Sequence, residues 1–335
     1  MNRKFISIII LLVIIPLLGI NYYSNTLAVN FEGSREVIFK IDEGESANAI
    51  VYNLRNERLI DNGFAFRFYI FLKKLENKFQ IGEYKLYAGM KMEDIANILT
   101  SKNALREIKI TIIEDWDSKK IAEYLEERKL AKKDDFLKIV NGGSQKWLEI
   151  YDFLKDKPAL TGLEGYLFPD TYQVYIDSNA KEIIEKMLDN FNKKLNKDLR
   201  EEIKSQSKTI FEILIMASLV EKEARKNEDR KIVADVFYKR LKIGKALESC
   251  ATINYILGNN KKLSFEDTKI KSPYNTYINP GLPPGPICNP SLSSIKAAIY
   301  PEKTNYWYFL SKDDGEIIFS KTIEEHNRNK AKYLK

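Results

Sequence analysis

A chain of 335 residues that is 44% apolar and 30% charged can bury a sizeable core in more than one domain, and it is not a disordered or fibrous composition. Its net charge of +7 suits an anionic polymer or a lipid surface, but Lys and Arg are scattered among Glu and Asp with no basic block, so no nucleic-acid partner is expected. One His and two Cys are too few for a zinc site, and no metal or cofactor is expected; acid–base work falls to carboxylates.

The first element predicted is a membrane span. Asn2-Arg3-Lys4 is basic, Phe5 to Ile20 carries no charge, and Tyr22-Tyr23 follow. A helix from Phe5 to Tyr23 would be roughly 30 Å long, one hydrocarbon core, with aromatic residues at the interface and the basic end in the cytoplasm. Residues 1–24 therefore read as a cytoplasmic stub and single-pass anchor in the cell membrane, with the rest of the chain outside the cytoplasm. The competing reading is a cleaved signal peptide, against which Thr26-Leu27-Ala28 is a poor cleavage site.

Residues 36–140 carry an internal repeat. Gly44, Gly89 and Asp115 each precede an Ile by six residues (Ile50, Ile95, Ile121) and a Leu by ten (Leu54, Leu99, Leu125). Strand-like runs, Val37–Ile41, Tyr84–Tyr87 and Ile108–Ile113, precede each turn, so the region predicts small strand-plus-helix units packed side by side. A loop over Asn141–Thr161 leads to a second region, 141–335. There, Ala180–Ile203, Thr209–Arg225 and Asp229–Ile243 have helical periodicity, and Gly244 stops the third. A long irregular segment contains Ser272-Pro273-Tyr274-Asn275-Thr276-Tyr277 and Gly281-Leu282-Pro283-Pro284-Gly285-Pro286. Loops of this length in compact domains are often functional. Tyr306–Leu310 and Glu316–Phe319 predict a hairpin, and His326 follows in a Lys- and Asn-rich helix. Cys250 and Cys288 either pair or remain as two free, buried thiols.

The segment richest in chemistry is Ala217-Ser218-Leu219-Val220-Glu221-Lys222-Glu223-Ala224, where two acids follow an apolar helix directly. An acid at the margin of an apolar face can keep its proton near neutral pH. Glu221 and Glu223 fall on opposite margins, and periodicity does not choose between them; ordinarily such acids form surface ion pairs.

With Leu163-Glu164-Gly165-Tyr166-Leu167-Phe168-Pro169-Asp170-Thr171-Tyr172 upstream and the Tyr274–Tyr277 and Gly281–Gly285 segments downstream, this order resembles the endolytic murein transglycosylases, the YceG-like proteins. The resemblance covers nearly the whole chain. It implies an α+β protein with an N-terminal transmembrane helix, a LysM-like β/α subdomain, and a mainly helical lytic-transglycosylase catalytic domain with a small β-hairpin. It also implies cleavage of nascent peptidoglycan glycan strands between N-acetylmuramic acid and N-acetylglucosamine, leaving 1,6-anhydromuramyl ends and terminating glycan elongation beside peptidoglycan synthases. The resemblance assigns Glu223 as the catalytic acid, with Glu221 the alternative. Glu164, Tyr166, Tyr172, Tyr274, Asn275 and Thr276 are candidate substrate contacts, the aromatics through stacking and the others through hydrogen bonds; core packing and satisfied turns are the plain alternatives. One stretch departs from the pattern: Glu248-Ser249-Cys250-Ala251-Thr252 stands where many relatives carry Gln-Ser/Thr-Asp-Pro-Thr. Two other functions remain open at this stage: a non-catalytic LysM-type tether, and a hydrolytic muramidase with a second acid.

Overall fold

A computed structural model describes residues 35–101, 107–142, 147–176, 178–259, 263–312 and 314–334. The expected anchor, residues 1–24, lies outside them; among the described residues no helix is long and apolar enough to cross a membrane. The protein is a mixture of helices with three two-stranded sheets. It divides into two compact units between Ile108 and Lys109.

The first unit begins with β1 (Glu36–Ile41), α1 (Ala47–Asn56), α2 (Gly63–Leu72), β2 (Gly82–Tyr87) and α3 (Met92–Thr100). β1 and β2 pair antiparallel, with Phe39 opposite Tyr84. Alternate strand residues face inward, so Phe39, Ile41, Tyr84 and Leu86 are buried together with Ile50, Leu54, Phe66, Ile70, Ile95 and Leu99. The Ile and Leu of the first two repeats are thus core residues. The repeat has a backbone cause as well. Gly44, Gly89 and Asp115 all adopt positive φ (77°, 89° and 74°), so each helix is entered through a left-handed turn residue. Helix α2 was not anticipated; Asn62 caps it by accepting from the Ala65 N–H at 3.1 Å.

The third repeat falls in the second compact unit, and the first two in the first. β3 (Glu107–Thr111) pairs with β4 (Thr171–Tyr175). The helices α4 (Ser118–Glu127) and α5 (Lys133–Gly142) follow β3. The segment expected as one helix over 180–203 is two, α6 (Ala180–Lys194) and α7 (Lys197–Ser205). Asn196 caps α7 through the Leu199 N–H, and Arg200 Nε holds the freed Leu195 carbonyl at 2.7 Å. Helix α8 (Ile210–Glu223) starts at a capping box of Thr209 and Glu212 and is apolar on every side, with Phe211 and Ile213 to Glu221 all buried. It packs against α9 (Asn227–Lys242), α10 (Cys250–Leu257) and α11 (Leu292–Ile299). The hairpin is β5 (Tyr308–Ser311) and β6 (Ile317–Ser320), followed by α12 (Ile323–Tyr333). Of the two alternatives for the cysteines the free one holds: Cys288 is buried, whereas Cys250 is exposed at the start of α10, so only the expectation that both are buried is corrected.

Candidate active site

Helix α8 ends at Glu223, because Ala224 turns extended (φ −132°, ψ 131°). The Glu223 side chain is half-buried, and Ser249 Oγ donates to its Oε1 at 2.6 Å. Ser249 is the N-cap residue of α10, yet its hydroxyl makes no cap bond to that helix and goes to Glu223 instead. The Ala251 N–H donates to the same carboxyl. Glu223 therefore closes one helix and meets the N-terminal N–H groups of another. Burial raises its pKa above the ordinary glutamate value; the Ser249 and Ala251 donors and the more distant Arg240 charge oppose this without cancelling it. Its place at the negative end of α8 also disfavours the anion.

Glu221, two residues back, has a different environment. Arg230 Nη2 lies 2.6 Å from its Oε1, and Oε2 accepts from both the N–H and the hydroxyl of Ser291, the cap of α11. The Arg230 fork also reaches the Ala224 carbonyl through Nε at 3.0 Å and donates to Ser293. Glu221 is thus a buried, fully engaged carboxylate that joins α8, α9 and α11. Lys222, between the two acids, turns away to the side chain and carbonyl of Asp115 (2.6 and 2.9 Å).

The loop after α10 holds the Ser249 segment in place. Thr276 accepts from Ser249 N–H through Oγ1 (3.1 Å) and from Glu248 N–H through its carbonyl (3.1 Å). Glu248 takes a left-handed conformation (φ 53°), a strained state for a non-glycine residue that these bonds hold in place. Asn275 spends its amide on the Thr268 and Ile270 carbonyls and its oxygen on the Tyr277 N–H. Asn275 and Thr276, expected as substrate contacts, are buried and build the loop. Tyr277 was not singled out from the sequence. Its hydroxyl lies 3.0 Å from Cys250 Sγ, and the Glu223 charge adds to the upward shift of its pKa caused first by burial. Arg240 is buried and holds the Leu247 carbonyl at 2.7 Å.

Glu164 sits at the start of α4. It accepts from the Ser118 N–H (3.0 Å) and from Asn289 Nδ2 (2.8 Å). Burial nonetheless pushes its pKa up to about 7. Asn289, also missed, is the hub of this corner: its Oδ1 accepts from the Gly165 and Leu167 N–H groups, and its Nδ2 also reaches the Trp116 carbonyl. Gly165 has φ +87°, and a Cβ there would lie 2.6 Å from Pro286. Tyr274 packs its ring on Tyr255 of α10 at 5.1 Å, and the charge of Glu164 bears on both hydroxyls. Tyr166 is 0% exposed and packs on Phe153 and Phe191; it is core, as burial of an aromatic ring would favour, and not a stacking platform. Tyr172 is also buried, its hydroxyl donating to the Phe168 carbonyl and accepting from Asn190. A separate cavity of about 420 Å³, lined by Thr111, Phe168, Asp170, Lys194 and Ser291, does not include Glu223. Among the described residues no cluster of His, Cys, Asp and Glu could hold a metal ion.

Residues 39–332 match the YceG-like family, and the chain belongs to it. It is 36% identical over 315 residues to a Bacillus subtilis protein named endolytic murein transglycosylase, covering 91% of this chain and 87% of that one. A Streptococcus pneumoniae protein of the same name is 33% identical over 92% of this chain, which spans 60% of the longer relative. The fold is similar to the crystal structure of a YceG-like protein from Listeria monocytogenes, with a TM-score of 0.61 and 34% identity over 89% of this chain and all of that one.

Two outcomes test the scaffold. Gly165→Ala is expected to destabilise the second unit by about 1–3 kcal/mol, because it adds a clash with Pro286 at a left-handed position; denaturant titration reads this. Glu164 binds its proton more tightly folded than unfolded, so its contribution to stability is complete below the unfolded pKa and lost as pH rises through about 7. Unfolding free energy is expected to fall by about 1–3 kcal/mol from pH 4.5 to 8 in the intact protein, and Glu164→Gln to flatten that slope.

Proposed function

We propose that this protein is a peptidoglycan lytic endotransglycosylase, a lyase, with Glu223 as its single acid–base residue. The observation that carries the reading is a carboxyl raised in pKa at the end of a buried helix, in a chain whose relatives are named endolytic murein transglycosylases. Protonated Glu223 gives its proton to the glycosidic oxygen, and the bond from that oxygen to C1 of the muramyl sugar breaks. The C6 hydroxyl of the same sugar bonds to C1 and returns its proton to the carboxylate, closing a 1,6-anhydro ring. No water is consumed, and the tethered nucleophile supplies an effective molarity on the order of 10⁵ M or more. Ser249 and the Ala251 N–H stabilise the carboxylate at the moment it forms.

Glu221 is not the acid on this reading, since three donors occupy its two oxygens and make it a structural strut. The same engagement leaves Glu164 as the only other candidate for a hydrolytic second acid, and its oxygens are committed to Ser118 and Asn289. Tyr274, packed on Tyr255 of α10, is retained as a substrate contact. The first unit is read as a LysM-like glycan-binding module, and residues 1–24 as the membrane anchor that places the catalytic unit outside the cell membrane, beside the synthases. The uncharged Phe5–Ile20 run supports the anchor.

Digestion of sacculi followed by muropeptide mass spectrometry is expected to give anhydro ends; reducing ends would establish the muramidase, and no cleavage the tether. Glu223→Gln is expected to abolish those ends with the fold retained, whereas Glu221→Gln is expected to lower thermal stability first. Activity requires protonated Glu223, so it is expected below the raised pKa and to fall as pH rises through it. Ser249→Ala removes a donor to the anion. It should move the alkaline limb upward by about one pH unit and slow turnover about tenfold, a shift that a purely structural residue would not produce.

A further inference from the structure

Helix α2 is used by nothing in the proposed chemistry, and its composition is unusual for a surface helix. Gly63-Phe64-Ala65-Phe66-Arg67-Phe68-Tyr69-Ile70-Phe71-Leu72 holds one charge in ten residues. At about 100° per residue, Phe66 and Ile70 share one side, and both are fully buried in the core of the first unit. Phe64, Phe68, Phe71 and Leu72 fall on the opposite side. Phe64 is 82% exposed, Phe71 59% and Leu72 46%. A helix that is apolar all round belongs in a core or in lipid. Here the second apolar face meets water, where each phenyl ring forgoes roughly 2 kcal/mol of burial.

The rim of that face carries both signs of charge, with Glu93 and Asp94 of α3 acting on Tyr69. Arg67 on its margin is paired to Glu76 at 2.5 Å. Glu76 is the only acid from 63 to 78, where Lys73, Lys74 and Lys78 follow the helix. Lys73 lies over the Tyr69 ring at 5.9 Å. Aromatic residues on one face with lysines at its edge are the pattern of a helix lying in a membrane interface, rings among the upper acyl chains and ammonium groups at the phosphates. The sequence brings such a surface within reach. Between Tyr23, which ends the uncharged run, and the start of β1 at Glu36 there are 12 residues, spanning at most about 40 Å when extended.

We propose that the Phe64–Phe68–Phe71 face of α2 lies in the outer surface of the lipid bilayer, with Lys73 and Lys74 at the lipid phosphates. This rests on the reading of residues 1–24 as a membrane anchor. The lysines that follow the helix and the short reach from Tyr23 to β1 favour a lipid surface over a second copy of this chain.

The test uses the full chain reconstituted in phosphatidylglycerol–phosphatidylcholine vesicles, with the photo-crosslinker p-benzoylphenylalanine introduced singly at Phe64, at Phe71, or at the exposed Lys40 of β1. Mass spectrometry after illumination is expected to find lipid adducts at positions 64 and 71 in several-fold excess over position 40. Equal lipid labelling at all three positions, or protein adducts at 64 and 71, would overturn the docked face. Salt-resistant co-sedimentation with vesicles, measured on the unmodified chain, separates the two readings. A chain that stays with the vesicles yet shows no adducts loses only the docking, whereas a chain that washes off loses the anchor and the docking together.

Discussion

Arg230 decides what the end of α8 can be. A helix that is apolar on all sides leaves its last carbonyls and its acidic residues at the edge of a dry core, where an uncompensated charge is costly. The guanidinium answers both needs at once, one nitrogen on the Ala224 carbonyl and another on Glu221. Removing one partner of such a buried pair typically costs about 3–5 kcal/mol. Its planar fork matters as much as its charge, since a lysine could not serve the carbonyl, the carboxylate and Ser293 together.

Because Glu221 takes the whole of that compensation, Glu223 receives none of it. Two acids two residues apart thereby sit in different surroundings. Glu221 is tied to three donors and is a structural member. Glu223 has a hydroxyl, one backbone N–H and a distant arginine, which oppose but do not cancel the upward shift that burial gives its pKa. The support for this arrangement is itself strained: Glu248 is held left-handed by Thr276 so that Ser249 can turn its hydroxyl away from its own helix.

Much of this was legible beforehand. The Ile and Leu of each repeat were readable as core because helical spacing reports burial directly, and the family motifs pointed to the α8 terminus. What periodicity does not carry is the identity of long-range polar partners. Arg230, Asn289 and Ser249 act through contacts spanning 6 to 173 residues of sequence, and no local pattern marks them. Asn275 and Thr276 looked like ligands for the reason they make good scaffolding: short polar side chains bond any nearby backbone, including their own loop. Tyr166 was ambiguous because an aromatic residue serves a core or a sugar equally well. The break between α6 and α7 was hidden by apolar residues that continue across Leu195.

Among the three left-handed turns, Asp115 alone is not glycine. The side chain that makes its backbone less comfortable is the one that grips Lys222, directly between the two acids. Gly44 and Gly89, in otherwise equivalent turns, have no side chain to lend. At the third turn the same backbone conformation thus carries a brace beneath Lys222. A glycine there would relax the chain locally while freeing the lysine that stands between Glu221 and Glu223.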